Sequence, residues 1–300
     1  MLLSAATTLA QNFPSRPVRI VVPFPPGGGA DTLARILEPK LAGIWAQPIV
    51  VENRPGASGH IGAEFVAKSA PDGCTLLMSS TASLTEKNVD QFAPVSLVSA
   101  TAYIVTANPG VAAANIRELI ALAKANPGKL TFGSSGTGAA SHLSAELFKA
   151  TAGVDLLHVP YKGTGQALTD LLAGHVNLMF APAQTVMSYV QAGKLKALAV
   201  TGARRSQTLP ELPTVAESGL PGYEAVGWFG LLAPAATPKG TVAKLSAEAN
   251  RVLAMSEVRE RMLVLGAEPA GNTPEEFARF IRGDQAKWSK LMKEAGITSE

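Results

Sequence analysis

The hydrophobic positions alternate between strand-like and helix-like periods, and the succession repeats. Val18 to Val22 (VRIVV) is a β-branched run between prolines and predicts a buried strand. Beyond the loop from Pro23 to Ala30, Leu33, Ile36, Leu37, Leu41 and Ile44 recur at helical spacing. Asp31 reads as the N-cap of that helix. Pro39 should kink it near Arg35, because proline removes one backbone hydrogen bond. Ile49 to Glu52 predicts a second strand, Gly59 to Ser69 a second helix and Thr75 to Met78 a third strand. Val95 to Val98 and Tyr103 to Thr106 are two further short apolar stretches.

The pattern then starts again. Helices are predicted over Asn115 to Asn126, Gly138 to Thr151, Gly165 to Ala173 and Ala183 to Gln191. Strands fall between them at Leu130 to Gly133, Leu156 to Val159, Val176 to Phe180 and Ala197 to Thr201. Gly227 to Ala233 reads as another strand. Three helical patterns close the chain, at Pro238 to Met255, Ser256 to Leu265 and Thr273 to Ala295. The fold class is therefore α/β, with two similar halves built on mostly parallel sheets. The tail contains no complete α/β unit, so it should pack back on one half. This divides the chain into one discontinuous lobe, 11–107 plus 226–300, and a second lobe, 108–225. The chain then crosses between lobes near Ala107 and near Ala225, which makes a hinge with a ligand site between the lobes.

Composition narrows the function. Apolar residues make up 47% of the 300 residues and aromatics 6%, which predicts an aliphatic core. The formal net charge is +3, and no basic run is long enough to follow a phosphate backbone, so nucleic acid is not an expected partner. Cys74 is the single cysteine, which excludes an internal disulfide and a thiolate metal cluster. It precedes an apolar run and reads as a buried structural thiol. The four histidines, His60, His142, His158 and His175, lack metal-ligand spacing. No metal and no cofactor is expected. The start, Met1 to Ala10, is small and apolar and reads as a truncated secretory signal without its basic region.

In parallel α/β sheets, ligands sit beyond the carboxyl ends of the strands. The first such loop, Pro23 to Asp31, has three consecutive glycines before a helix. Glycine lets backbone N–H groups approach a ligand closely, and a helix start favours an anion. No lysine follows, so this is not a nucleotide phosphate loop. Ser79, Ser80 and Thr81 supply hydroxyls after the third strand. Gly133 to His142 (GSSGTGAASH) is again rich in glycine and hydroxyls. It imitates a dinucleotide fingerprint but has Ser141 in place of the last glycine. Val159 to Gly165 presents Tyr161 and Lys162; the lysine could meet a second carboxylate or point to water. The loop Phe180-Ala181-Pro182, with Gln184, carries no acid or base. Neutral donors on both halves describe anion binding better than acid–base catalysis.

Five blocks in order resemble the Bug-type receptors, the substrate-binding components of tripartite tricarboxylate transporters. They are VPFPPGGGADTLARIL from Val22, VVENRPGASGHIGAE from Val50, FGSSGTGAASHLSAELF from Phe132, VPYKGTGQALTDLLAGHVNLMF from Val159 and GWFGLLAPAATP from Gly227. The resemblance runs from about Phe13 to the C-terminus. It implies a periplasmic, two-lobed binding protein of type II-like fold that closes on a small carboxylate (mono-, di- or aromatic) and delivers it to membrane permease subunits. It implies no catalysis and a monomer. Carried onto this chain, the ligand-binding residues are Phe24, Gly28, Gly29, Ala30 and Asp31 from the first loop, with Ser80 and Thr81. The other lobe contributes Ser135, Thr137, Ser141, His142, Tyr161, Lys162, Gly163 and the position Ala181. Two departures stand out. The stretch Ser79 to Gln91 is shorter than is usual in the family, beside Ser80 and Thr81. Ala181 stands where some members that bind amino or dicarboxylic acids carry Asp, which argues against an ammonium-bearing ligand. The same cleft would also suit a sensor docking on a membrane signalling protein. A hydrolase using a serine and His142 is the alternative from another class; it needs an orienting carboxylate, for which the following helix offers only Glu146.

Overall fold

The computed structural model describes residues 13–206, 209–294 and 296. The stretch Met1 to Ala10, read as a signal remnant, lies outside the described residues.

The first half opens with β1 (Val18–Val22), α1 (Gly29–Trp45), β2 (Ile49–Asn53), α2 (His60–Ala67) and β3 (Thr75–Ser79). β1 lies parallel between β2 and β3. Pro39 sits within α1, which continues as one helix to Trp45. The proline and Arg35 are both exposed, so the carbonyl that loses its partner is on the solvent side, where water satisfies it.

β4 (Phe92–Ala107) is one strand of 16 residues where the sequence showed two short apolar stretches. Between Ala102 and Tyr103 it changes partners. Phe92 to Ala102 pairs with β9 (Val226–Pro234), whereas Tyr103 to Ala107 pairs with β7 (Leu178–Pro182) and β8 (Lys196–Val200). The crossing expected near Ala107 therefore falls inside a continuous strand, earlier in the chain. The second half comprises α3 (Ile116–Ala125), β5 (Thr131–Ser134), α4 (Ala140–Ala152), β6 (Leu157–Pro160), α5 (Thr164–Ala173), β7, α6 (Ala183–Gln191) and β8.

The halves share one connectivity. Strand order is β2-β1-β3-β9 in the first and β6-β5-β7-β4 in the second. In each, three parallel strands are followed by an antiparallel one supplied by a crossing segment. Each sheet thus has a parallel core, as expected, with an antiparallel strand added at the crossing. Thr201 joins the two crossings: its Oγ1 accepts the N–H of Tyr103 at 2.7 Å and donates to the carbonyl of Ala225 at 2.6 Å.

The tail divides between the halves. α7 (Lys239–Leu253) and α8 (Ser256–Val264) join the core formed with α1, through Leu245, Val252 and Met262. α9 (Pro274–Glu294), expected on the same half, crosses over. Its Phe277 and Ile281 pack with Trp228 of β9, while Trp288 and Leu291 enter the core of the second half. The carboxylate of Asp284, a half-buried residue, lies between these two stretches. It accepts hydrogen bonds from Trp228 Nε1 at 2.7 Å, Trp288 Nε1 at 2.8 Å and Thr81 Oγ1 at 3.1 Å. Cys74 is buried. Among the described residues, no helix is long and apolar enough to cross a membrane.

Candidate functional site

Four helices start at one place. Gly28, Gly29 and Ala30 begin α1; Ala139 and Ala140 begin α4; Thr164 begins α5; and Pro182 precedes α6. All of them line a cavity of about 20 Å³, together with Phe24, Ser80, Ala82, Tyr103, Ser135 and Phe229. None of the four helix starts is capped by a side chain. The first N–H groups of a helix have no partner within it and carry the positive end of its dipole. Here four such ends from both halves meet, and no lining residue is charged. The cavity therefore presents donors and partial positive charge without a lysine or arginine.

Glycine makes the approach possible. A β-carbon at Gly29 would lie 2.6 Å from Gln184 Nε2 of α6 and 2.8 Å from the Phe229 ring. Beside it, Gln184 Oε1 and Thr185 Oγ1 are buried at the start of α6 with no hydrogen-bond partner among the described residues. Buried polar atoms are normally satisfied, so these two stand out, although neither residue lines the cavity.

The structure sorts the residues singled out from sequence. Phe24, Gly28, Gly29, Ala30, Ser80 and Ser135 line the small cavity. Thr81 and Thr137 line a larger neighbouring one, of about 490 Å³. Asp31 is neither the N-cap nor a lining residue. Gly28 is the N-cap, because the glycines let the helix start earlier. The Asp31 carboxylate instead accepts from Gly27 N–H and Asn53 Nδ2, each at 3.0 Å, and pairs with Arg35 at 3.0 Å. Burial pushes its pKa up, but the bonds from Arg35, Gly27 and Asn53 outweigh it and hold the carboxyl below its usual range. Asp31 thus fixes the loop from behind.

Ser141, His142, Tyr161, Lys162, Gly163 and Ala181 line neither cavity. Ser141 Oγ accepts the N–H of Ser135 at 3.0 Å. Tyr161 donates to Asp170 at 2.6 Å; burial and that carboxylate push its pKa up to about 12. The Lys162 side chain is exposed, and its backbone N–H donates to Gln166 Oε1. Gly163 touches the opposite half: a β-carbon there would lie 2.6 Å from Pro25 Cδ. Ala181 is fully buried in β7, opposite Ile104.

The histidines brace the second-half loop. His142 stacks on His158 with ring centres 3.9 Å apart, and His158 stacks in turn on Phe132 at 4.9 Å. Burial depresses the His142 pKa to about 3, and it depresses that of His158 to about 4. Both rings are neutral at pH 7. His142 Nδ1 accepts the N–H of Gly138 at 3.1 Å. That lone pair is occupied, so His142 does not activate a serine. The serine–imidazole contact in this region is Ser134 Oγ with His158 Nε2, at 2.7 Å, and Ser134 is fully buried and also bonded to the backbone of Gly136. The histidines thus set the shape of the turn that carries Ser135 and Thr137.

Over residues 33–297 the chain matches the tripartite tricarboxylate transporter family receptor. It belongs to that family. The BugT protein of Bordetella pertussis is 36% identical over 303 residues, covering 97% of this chain and 93% of that one. The solved structure of Rpa4515 from Rhodopseudomonas palustris with adipate is 34% identical. It superposes with a TM-score of 0.91 over 95% of this chain and 99% of that one. MatC from the same organism, with bound malate, is 32% identical with a TM-score of 0.87, over 93% and 99%. The tripartite tricarboxylate receptors are solute-binding proteins and not enzymes.

Within this receptor, sequence reasoning misses Thr164, Pro182 and Phe229 as cavity walls, along with the open polar atoms of Gln184 and Thr185. The loop at Phe180 to Pro182 carries no acid or base to draw notice. Its contribution is a helix start, and an uncapped helix preceded by proline is the available signal.

Proposed function

We propose that this receptor captures a carboxylate solute between its halves and delivers it to the membrane subunits of a tripartite transporter. The observation that carries this is the meeting of four uncapped helix starts, the neutral hydroxyl-bearing residues Ser80, Tyr103, Ser135 and Thr164, and no side-chain charge around one small cavity. Backbone N–H groups and hydroxyls at such a site can surround both carboxylate oxygens with charge-assisted hydrogen bonds. The adipate and malate carried by the two Rhodopseudomonas receptors support the same ligand class.

In this reading Phe24, Gly28, Gly29, Ala30, Ser80 and Ser135 touch the ligand directly. Asp31, Ser141 and His142 hold their loops in place, and Gly163 lets the halves close. The two lobes hinge where β4 and the segment before β9 cross, clasped by Thr201. In this reading the receptor works as a monomer. The receptor works in the periplasm, where such transporters collect their solutes.

A thermal-melting screen of small carboxylates tests this. A ligand that binds only the folded state raises stability by RT ln(1 + [L]/Kd). At least one carboxylate should raise the melting temperature. A shift with a sugar or a cationic ligand, and with no carboxylate, overturns the reading.

A further inference from the structure

The small cavity at the four helix starts is about 20 Å³. That is small beside the pockets that hold whole solutes. It suits the head of a carboxylate rather than a whole solute. The body of the solute must therefore lie elsewhere, next to the head.

The larger cavity, about 490 Å³, is placed for it. Ala82 lines both. Chain neighbours divide between them: Ser80 and Ala139 line the small cavity, Thr81 and Gly138 the large one. Ligand pockets commonly span about 300–1,000 Å³, so this one has the size of a binding pocket and far exceeds a four-carbon chain. Its buried walls are mainly apolar, with Thr81 among them. Leu84 follows β3, Leu143 belongs to α4 and Trp288 to α9, and these three are 2%, 1% and 3% exposed. Its lysines, Lys87 and Lys293, are exposed. A second carboxylate placed against Leu84, Leu143 and Trp288 would lose much of its hydration while both lining lysines stay exposed, with Thr81 and the unpartnered Nε2 of Gln285 as the buried polar groups of the wall, which is unfavourable. An apolar body in the same place would gain by leaving water.

Resting on the carboxylate-receptor reading, we infer that the solute is a monocarboxylate with an apolar ring or branched body. Its head sits at the four helix starts and its body fills the cavity walled by Leu84, Leu143 and Trp288. Short dicarboxylates leave most of that cavity to water. The specificity wall is supplied largely by α9, at the end of the chain.

The test is calorimetric titration of the full chain with benzoate, cyclohexanecarboxylate and succinate, and with benzamide as the uncharged match of benzoate. Benzoate or cyclohexanecarboxylate should bind at least about tenfold more tightly than succinate, a factor that corresponds to about 1.4 kcal/mol. Gln285→Trp and Met292→Trp place bulk in the cavity from half-buried positions on α9. Each should weaken the ring acids about tenfold or more and leave succinate unchanged, and unliganded melting curves check that each variant is folded. Tighter binding of succinate, or ring-acid affinities unmoved in both folded variants, overturns the inference while the carboxylate reading stands. Equal binding of benzamide and benzoate overturns both.

Discussion

Gly163 and Pro25 meet across the cleft, and the contact leaves no room for a side chain: a β-carbon on Gly163 would lie 2.6 Å from Pro25 Cδ. Gly163 also has φ +157, a conformation that side-chain-bearing residues avoid. Gly163→Ala should therefore hinder closure of the halves. Carboxylate affinity, measured by calorimetry, should fall by about tenfold or more. Gly43→Ala is the matched control. It lies in α1 with nothing within 4 Å of an added β-carbon, so it should leave affinity unchanged and stabilise the fold by about 0.5–1 kcal/mol.

Thr201 clasps both crossings through one hydroxyl. Thr201→Val keeps the shape and removes the oxygen. The buried N–H of Tyr103 then loses its acceptor, which costs on the order of 1–3 kcal/mol. Denaturant unfolding should report that loss. If the crossings act as the proposed hinge, the variant should change the rate of ligand binding as well as stability, by stopped-flow fluorescence of the tryptophans.

The stacked histidines predict an acid response. His142 and His158 have native pKa values near 3 and 4, below the ordinary value of 6.5. As pH falls below about 6.5, the unfolded chain takes up protons that the folded chain refuses. Stability should therefore be full above that pH and decline as pH drops toward 4. Every tenfold difference in proton affinity between the folded and unfolded chain corresponds to about 1.4 kcal/mol, so the loss should reach a few kcal/mol. His142→Asn should flatten this decline in urea melts between pH 7 and pH 4. It should also weaken ligand binding at pH 7, because the Gly138 N–H loses its imidazole acceptor.

Much of the fold was legible because periodicity reports burial. The β-branched run at Val18 and the spacing of Leu33, Leu37 and Leu41 placed β1 and α1 closely. The long strand β4 was not legible, because Ser99 to Ala102, at the crossing, breaks the apolar pattern where the strand leaves one sheet for the other. The crossing of α9 was hidden for a related reason. Phe277 and Trp288 both read as core positions of one amphipathic helix, and sequence does not say that they enter different cores. At the site, the glycine loop announced itself by composition. The α6 start did not, since its contribution comes from backbone N–H groups that every helix has. Asp31 and His142 show the converse: chemically suggestive side chains whose bonds are spent on shaping the loops.

The proposed site holds a negatively charged carboxylate through neutral donors at four helix starts. Calorimetric titration of the full chain with a series of carboxylic acids and their amides, at low and high salt, tests this most directly. At least one acid should bind, and its amide should bind far more weakly. Salt should change the acid's affinity little, because no charged side chain lines the small cavity. Amides binding as tightly as their acids, or an acid affinity that collapses with salt, would contradict it.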